Sequence, residues 1–103
     1  MPSTFPSPAA LNPPVVNVTS VQVAGVSYQR AGLYAFNPSA TVTLWVAPLG
    51  TAAAVGGPGS IAIQPLQGLM FGPPNNMPPW TNGMNAIADT AGSNRICLLE
   101  FYT

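Results

Sequence analysis

Between Thr41 and Ala47 the chain alternates residue by residue, with Val42, Leu44 and Val46 on one side and Thr41, Thr43 and Trp45 on the other. Successive Cβ atoms of an extended chain point to opposite faces, so this alternation predicts a strand. Val15 to Val23 (VVNVTSVQV) is rich in β-branched residues, which favour strands. Its apolar parity slips between Val16/Val18 and Val21/Val23, which predicts one strand with a bulge near Thr19 and Ser20. Tyr28 to Asn37 reads as the next strand, closed by Asn37-Pro38-Ser39, and Ile61 to Gln64 as a short one closed by Pro65. Another is predicted around Leu69 to Phe71. Met84 to Asp89 and Arg95 to Tyr102 read as a hairpin around Ala91-Gly92-Ser93-Asn94, with Asp89 and Arg95 flanking the turn as a cross-strand ion pair. Leu49 to Ser60 is predicted to be a long loop, and Pro73 to Trp80 a stiff one that carries Met77 and Trp80 to the surface.

Two predicted strands lack a polar side. In the last, Ile96, Leu98 and Tyr102 point one way while Cys97, Leu99 and Phe101 point the other; in the second, Tyr34 and Phe36 lie opposite Leu33 and Ala35. An antiparallel strand with one wet face should alternate with polar residues. Both faces of these strands therefore need cover, one from a core and one from a neighbouring subunit. This makes Tyr34, Phe36, Leu99 and Phe101, together with Trp45, the candidate protein interface, because aromatic side chains are favoured anchors there.

Thirteen prolines and ten glycines interrupt the chain too often for long helices. The expected fold is all-β, a small antiparallel β-sandwich or jelly-roll-like barrel occupying residues 15–103. Residues 1–14 contain five prolines and read as an extended N-terminal arm. Phe5 and Leu11 on that arm, and Met77 and Trp80 on the second loop, complete the set of candidate interface residues. The 103 residues suit one domain.

Charge changes this picture most. Arg30, Asp89, Arg95 and Glu100 are the only charged side chains, and the chain has no lysine or histidine. That is 4% of residues against 48% hydrophobic, whereas soluble domains devote about a quarter to charge. Much of the surface is therefore expected to face protein. Without histidine, and with only two carboxylates that are not expected to converge, acid/base and nucleophilic catalysis lack their usual parts, so no enzyme is expected. Gly56, Gly57 and Gly59 lack the lysine and following helix of a phosphate loop. No metal site, cofactor or direct nucleic-acid binding is expected. Prolines divide the uncharged stretch from Ala31 to Ala88, so no membrane-spanning helix is expected, and the first residues do not read as a secretory signal. The single cysteine, Cys97, reads as a small core residue. Arg30 and Glu100 read as a buried pair that fixes register on one rim. Trp45, Trp80 and Tyr34 could also form an aromatic platform for a sugar, although the same residues suit a protein interface better.

From Arg30 onward the order of features resembles that of short phage structural proteins. A strand-opening arginine leads an apolar strand ending in Asn-x-Ser (Arg30 to Ser39), followed by the apolar strand Val42 to Val46 and the glycine-rich Gly56 to Gly59. Ile61 to Pro65, a proline-rich loop, the small-residue strand Asn85 to Ala88 and a final strand containing Glu100 complete the pattern. The resemblance implies a small β-sandwich of the kind found among virion accessory proteins, which include capsid decoration or cement proteins and head-fibre bases and are often trimeric. On that basis the expected partners are the major capsid protein and further copies of the chain in a homotrimer. The expected location is the capsid exterior of a phage virion, after synthesis in the host cytoplasm. A tail, neck or fibre component, including a glycan-binding module built on Trp80 and the loop from Pro73 to Pro79, is the alternative. Longer Gly/Pro loops and the proline-rich leader depart from the pattern.

Overall fold

The computed structural model describes residues 7–10, 13–72 and 79–102, the first four by their backbone. The described residues are all-β and contain no helix. Ten strands follow in chain order: β1 (Ser7–Ala10), β2 (Val15–Val16), β3 (Val21–Ala24), β4 (Arg30–Phe36), β5 (Leu44–Ala47), β6 (Ile61–Ile63), β7 (Gly68–Phe71), β8 (Met84–Ala88), β9 (Asn94–Arg95) and β10 (Cys97–Tyr102). They form one four-stranded sheet in the order β1-β10-β4-β7, a second in the order β3-β8-β5-β6, and the two-stranded ribbon β2-β9. Every pairing is antiparallel.

Both four-stranded sheets feed one apolar cluster. The first contributes Leu33, Ala35, Phe71 and Leu98, and the second contributes Val23, Leu44, Val46, Ile63, Met84, Ala86 and Ala88. Val16 and Ile96, at the ribbon, are fully buried in the same cluster. This cluster is the main source of stability, since each large aliphatic side chain buried contributes about 1.5–3 kcal/mol.

The predicted strand from Val15 to Val23 is in fact two, β2 and β3, in different sheets. Asn17 causes the break. Its Oδ1 accepts the N–H of Val18 (2.8 Å) and that of Gly92 (3.2 Å), while its carbonyl accepts the N–H of Ala88 (2.8 Å). Side-chain bonds of this kind offer the backbone an alternative to a continuous ladder. What looked like a slip of parity is a change of sheet.

The predicted hairpin of Met84 to Asp89 with Arg95 to Tyr102 is also corrected. β8 pairs with β3 and β5, whereas β10 pairs with β1 and β4, so the turn residues carry the chain from one sheet to the other. Nor do Asp89 and Arg95 form the predicted pair: the Arg95 guanidinium donates to the Pro13 carbonyl (2.9 Å), and the Asp89 carboxylate accepts from the Thr90 hydroxyl (3.0 Å). Thr41 to Ala47 is strand only from Leu44. Before it, the Ser39 hydroxyl accepts the N–H groups of Thr41 (3.2 Å) and Val42 (2.9 Å), holding the chain in a turn.

The two ends of the described chain run together. Ser7 to Ala10 pair with Tyr102 to Leu99, and Val15 and Val16 pair with Arg95 and Asn94. The N–H of Ile96 also donates to the Pro14 carbonyl (3.3 Å). The N-terminal segment is thus the outermost strand of the first sheet. Pro8 suits that place, because a proline cannot donate to a ladder and is tolerated at sheet edges.

Candidate functional site

The outer side of β10 and β4 is the candidate site. On β4 the side chains alternate between fully buried Leu33 and Ala35 and half-buried Tyr34 and Phe36. On β10, buried Leu98 and Glu100 alternate with half-buried Cys97 and Phe101 and with Leu99, which is 37% exposed. Register aligns the outward residues in rows, Cys97 with Phe36, Leu99 with Tyr34 and Phe101 with Gly32. Four of the predicted interface residues, Tyr34, Phe36, Leu99 and Phe101, therefore share one face. No charged side chain lies among them.

Two features shape this face beyond what alternation predicts. A Cβ at Gly68 would overlap the Tyr34 ring, so glycine on neighbouring β7 lets that ring lie down across the strand. Cys97, expected in the core, is half-exposed beside Phe36. The alternation of Cys97 with Leu99 and Phe101 already pointed there, since residues two apart on a strand share a face.

The remaining predicted residues lie elsewhere. Trp45 is half-buried on β5 in the second sheet, opposite Ala62 and Ile87, so it does not join the face of Tyr34 and Phe36 with which it was grouped. Trp80 is half-buried against the core, its ring 5.4 Å from that of Phe71 at 39°, rather than carried out to the surface. The aromatic platform of Trp45, Trp80 and Tyr34 is therefore not assembled. Phe5, Leu11 and Met77 lie outside the described residues.

Behind the face, the chain's two buried charges hold its edge in place. Arg30 Nη1 meets Glu100 Oε2 at 2.9 Å, with the Arg30 side chain fully buried. Arg30 also donates to the carbonyls of Trp80 (2.9 Å), Gly25 (3.1 Å) and Asn82. A bulge makes this possible: Phe101 pairs with Gly32 but Tyr102 pairs with Arg30, leaving Ala31 as the extra residue. Bulges re-aim side chains, and this one turns Arg30 to the side of Glu100. The displaced Ala31 carbonyl accepts the Trp80 N–H (2.8 Å), and a Cβ at Gly72, whose φ is +100°, would come within 2.6 Å of that oxygen. Tyr102 donates to Glu100, which together with burial and the Glu100 charge raises its pKa, while Ser27 and Arg30 pull it the other way.

Sequence reasoning treated Asn37 as a turn former and missed its larger role. It is fully buried, with Nδ2 donating to the carbonyls of Val42 (2.7 Å) and Ile63 (2.9 Å) and Oδ1 accepting the Ser39 N–H (3.0 Å). One amide thus ties the end of β4 in the first sheet to β6 in the second. Among the described residues no cluster of three His, Cys, Asp or Glu side chains could hold a metal, and no helix is long and apolar enough to cross a membrane. No family model, curated protein or solved structure matches the chain.

Proposed function

We propose that this chain is a structural virion protein, a decoration or cement protein that sits on the capsid exterior of a phage and stabilises its shell. In this reading the two four-stranded sheets stack as a small β-sandwich, and the partners are the major capsid protein and further copies of the chain. The observation that carries the reading is the contrast within β10 and β4. Their charged residues, Arg30 and Glu100, are buried and paired, while their outward residues Tyr34, Phe36, Cys97, Leu99 and Phe101 are uncharged. A strand that hides its charge and turns apolar groups outward suits cover by protein. The shortage of charge and the absence of histidine and lysine fit a subunit that works by binding and not by catalysis. Many small apolar contacts repeated over a shell would resist internal pressure without any one of them being strong.

Binding of this kind depends little on ionic strength, because salt screens charges and not apolar contacts. Purified protein added to shells lacking it should bind at saturating, shell-like copy number and stay bound through a moderate salt wash. Leu99→Asp should abolish that binding while leaving the protein folded. Release by moderate salt, or undiminished binding of the Leu99→Asp protein, would defeat the proposal. A copy number of six or twelve would move the protein to the tail or neck.

A further inference from the structure

The outward residues of β10 and β4 differ in kind. β4 presents the aromatic rings of Tyr34 and Phe36, and β10 presents the smaller Leu99 and Cys97 in the same two rows. We infer that two copies of this chain pair face to face through these strands, about a twofold axis that runs along the strand direction between β10 and β4. Such an axis keeps each row in place and exchanges the strands, so Phe36 of one copy lies over Cys97 of the other and Tyr34 over Leu99. Every contact then sets an aromatic ring against a smaller apolar side chain. The alternative axis, across the strands, would stack Tyr34 on Tyr34 and Leu99 on Leu99. A surface that is its own complement under a twofold operation is the defining requirement of an isologous interface.

Charge argues for a second copy as the occupant. The exposed charged side chains are Asp89 and Arg95, near the β8–β9 connection, and neither lies on these two strands. With a formal net charge of zero, copies do not repel one another, and proteins near zero net charge are prone to associate. The Tyr34 ring, laid down over Gly68, leaves the face low enough for a mate to approach at the spacing of about 10 Å usual for stacked sheets.

This inference rests on the reading that the face is an interface, but its test needs no virus particle. Sedimentation equilibrium of the purified full chain should give a monomer–dimer equilibrium. Cys97→Phe puts a ring where the mate's Phe36 ring would sit, and should weaken the dimer by about tenfold or more. Adding Phe36→Cys exchanges large for small in the same row, and the double variant should regain the dimer. Near-ultraviolet circular dichroism and thermal denaturation of each variant check that it is folded, and Tyr34→Asp provides a second disruption at another row. A monomer at all accessible concentrations, a trimer, a dimer indifferent to both Cys97→Phe and Tyr34→Asp, or a double variant no better than Cys97→Phe would overturn the inference. Failure to bind shells with the dimer intact would instead count against the virion role alone.

Discussion

Arg30 and Glu100, 70 positions apart in the chain, meet at 2.9 Å inside the protein and account for half of its charged side chains. The pair costs desolvation on both sides, so it survives only because its other valences are filled. Arg30 reaches three backbone carbonyls and Glu100 receives the Tyr102 hydroxyl. It therefore joins β4, β10 and the segments around Gly25 and Trp80 in one network, and fixes the edge from which the outer face is presented.

Removing one partner should be far worse than the pair is worth. Glu100→Leu is expected to lower stability by about 3–5 kcal/mol, because it strands a buried guanidinium. Arg30→Met should cost at least as much, since it also orphans three carbonyls. The double variant should be less destabilised than the sum of the two. Urea denaturation of all four proteins closes the cycle, and additive single effects would show that the two charges do not support each other.

The Tyr102 hydroxyl gives the same network a pH signature. Its pKa is raised above 10.0, first by the hydrogen bond to Glu100 and then by burial and the Glu100 charge. The folded state thus favours the protonated phenol. Its contribution to stability is complete below pH 10 and is lost as pH rises through the higher folded-state value. Thermal denaturation between neutral and strongly alkaline pH should show a decline above pH 10 that is shallower in Tyr102→Phe. Identical alkaline slopes in the two proteins would remove Tyr102 from the account.

Asn37 should tolerate almost nothing. Asn37→Ala leaves two carbonyls and the Ser39 N–H without their partner, and each unsatisfied buried group costs about 1–3 kcal/mol. Asn37→Asp keeps the shape but turns an acceptor toward the carbonyls of Val42 and Ile63, so it should be worse than alanine at neutral pH and recover in acid. Chemical denaturation at two pH values tests the order. An aspartate variant more stable than the alanine one at neutral pH would show that the amide donates nothing of consequence.

These predictions depend on relationships that lie far apart in the chain, which is also why the sequence revealed them unevenly. Strands such as Leu44–Ala47, Arg30–Phe36 and Cys97–Tyr102 were legible because side-chain alternation is a local property. Pairing was not. Among the described residues β5 and β6 are the only consecutive strands that pair, and every other ladder joins distant segments. The residues around Gly92 have the composition of a hairpin turn yet connect two sheets, because turn chemistry says that the chain bends and not where it goes. The same limit applies to the site. Alternation told which of Tyr34, Phe36, Leu99 and Phe101 point away from the core, but could not tell that Trp45 points away on the other sheet. Arg30 and Glu100 could be matched in advance because so few charges were available to pair.

The edge of β10 supplies the last prediction. Its outer ladder, from Leu99 to Tyr102, is covered by Ser7–Ala10, and β1 makes its main contacts with that strand. Deleting residues 1–10 would bare a row of backbone N–H and C=O groups beside Leu99 and Phe101, with no exposed charge nearby to discourage another strand. The loss of stability should be a few kcal/mol at most, as each ladder bond contributes about 0.5–1.5 kcal/mol net and Val16 remains to anchor the ribbon. Solubility should suffer more than stability. The truncated protein is expected to keep its β circular dichroism but form open-ended assemblies larger than a dimer, seen by light scattering. Adding Leu99→Lys, which places a charge next to the bared edge, should suppress them. If the truncated protein scatters no more light than the full chain, the N-terminal segment does not guard this edge.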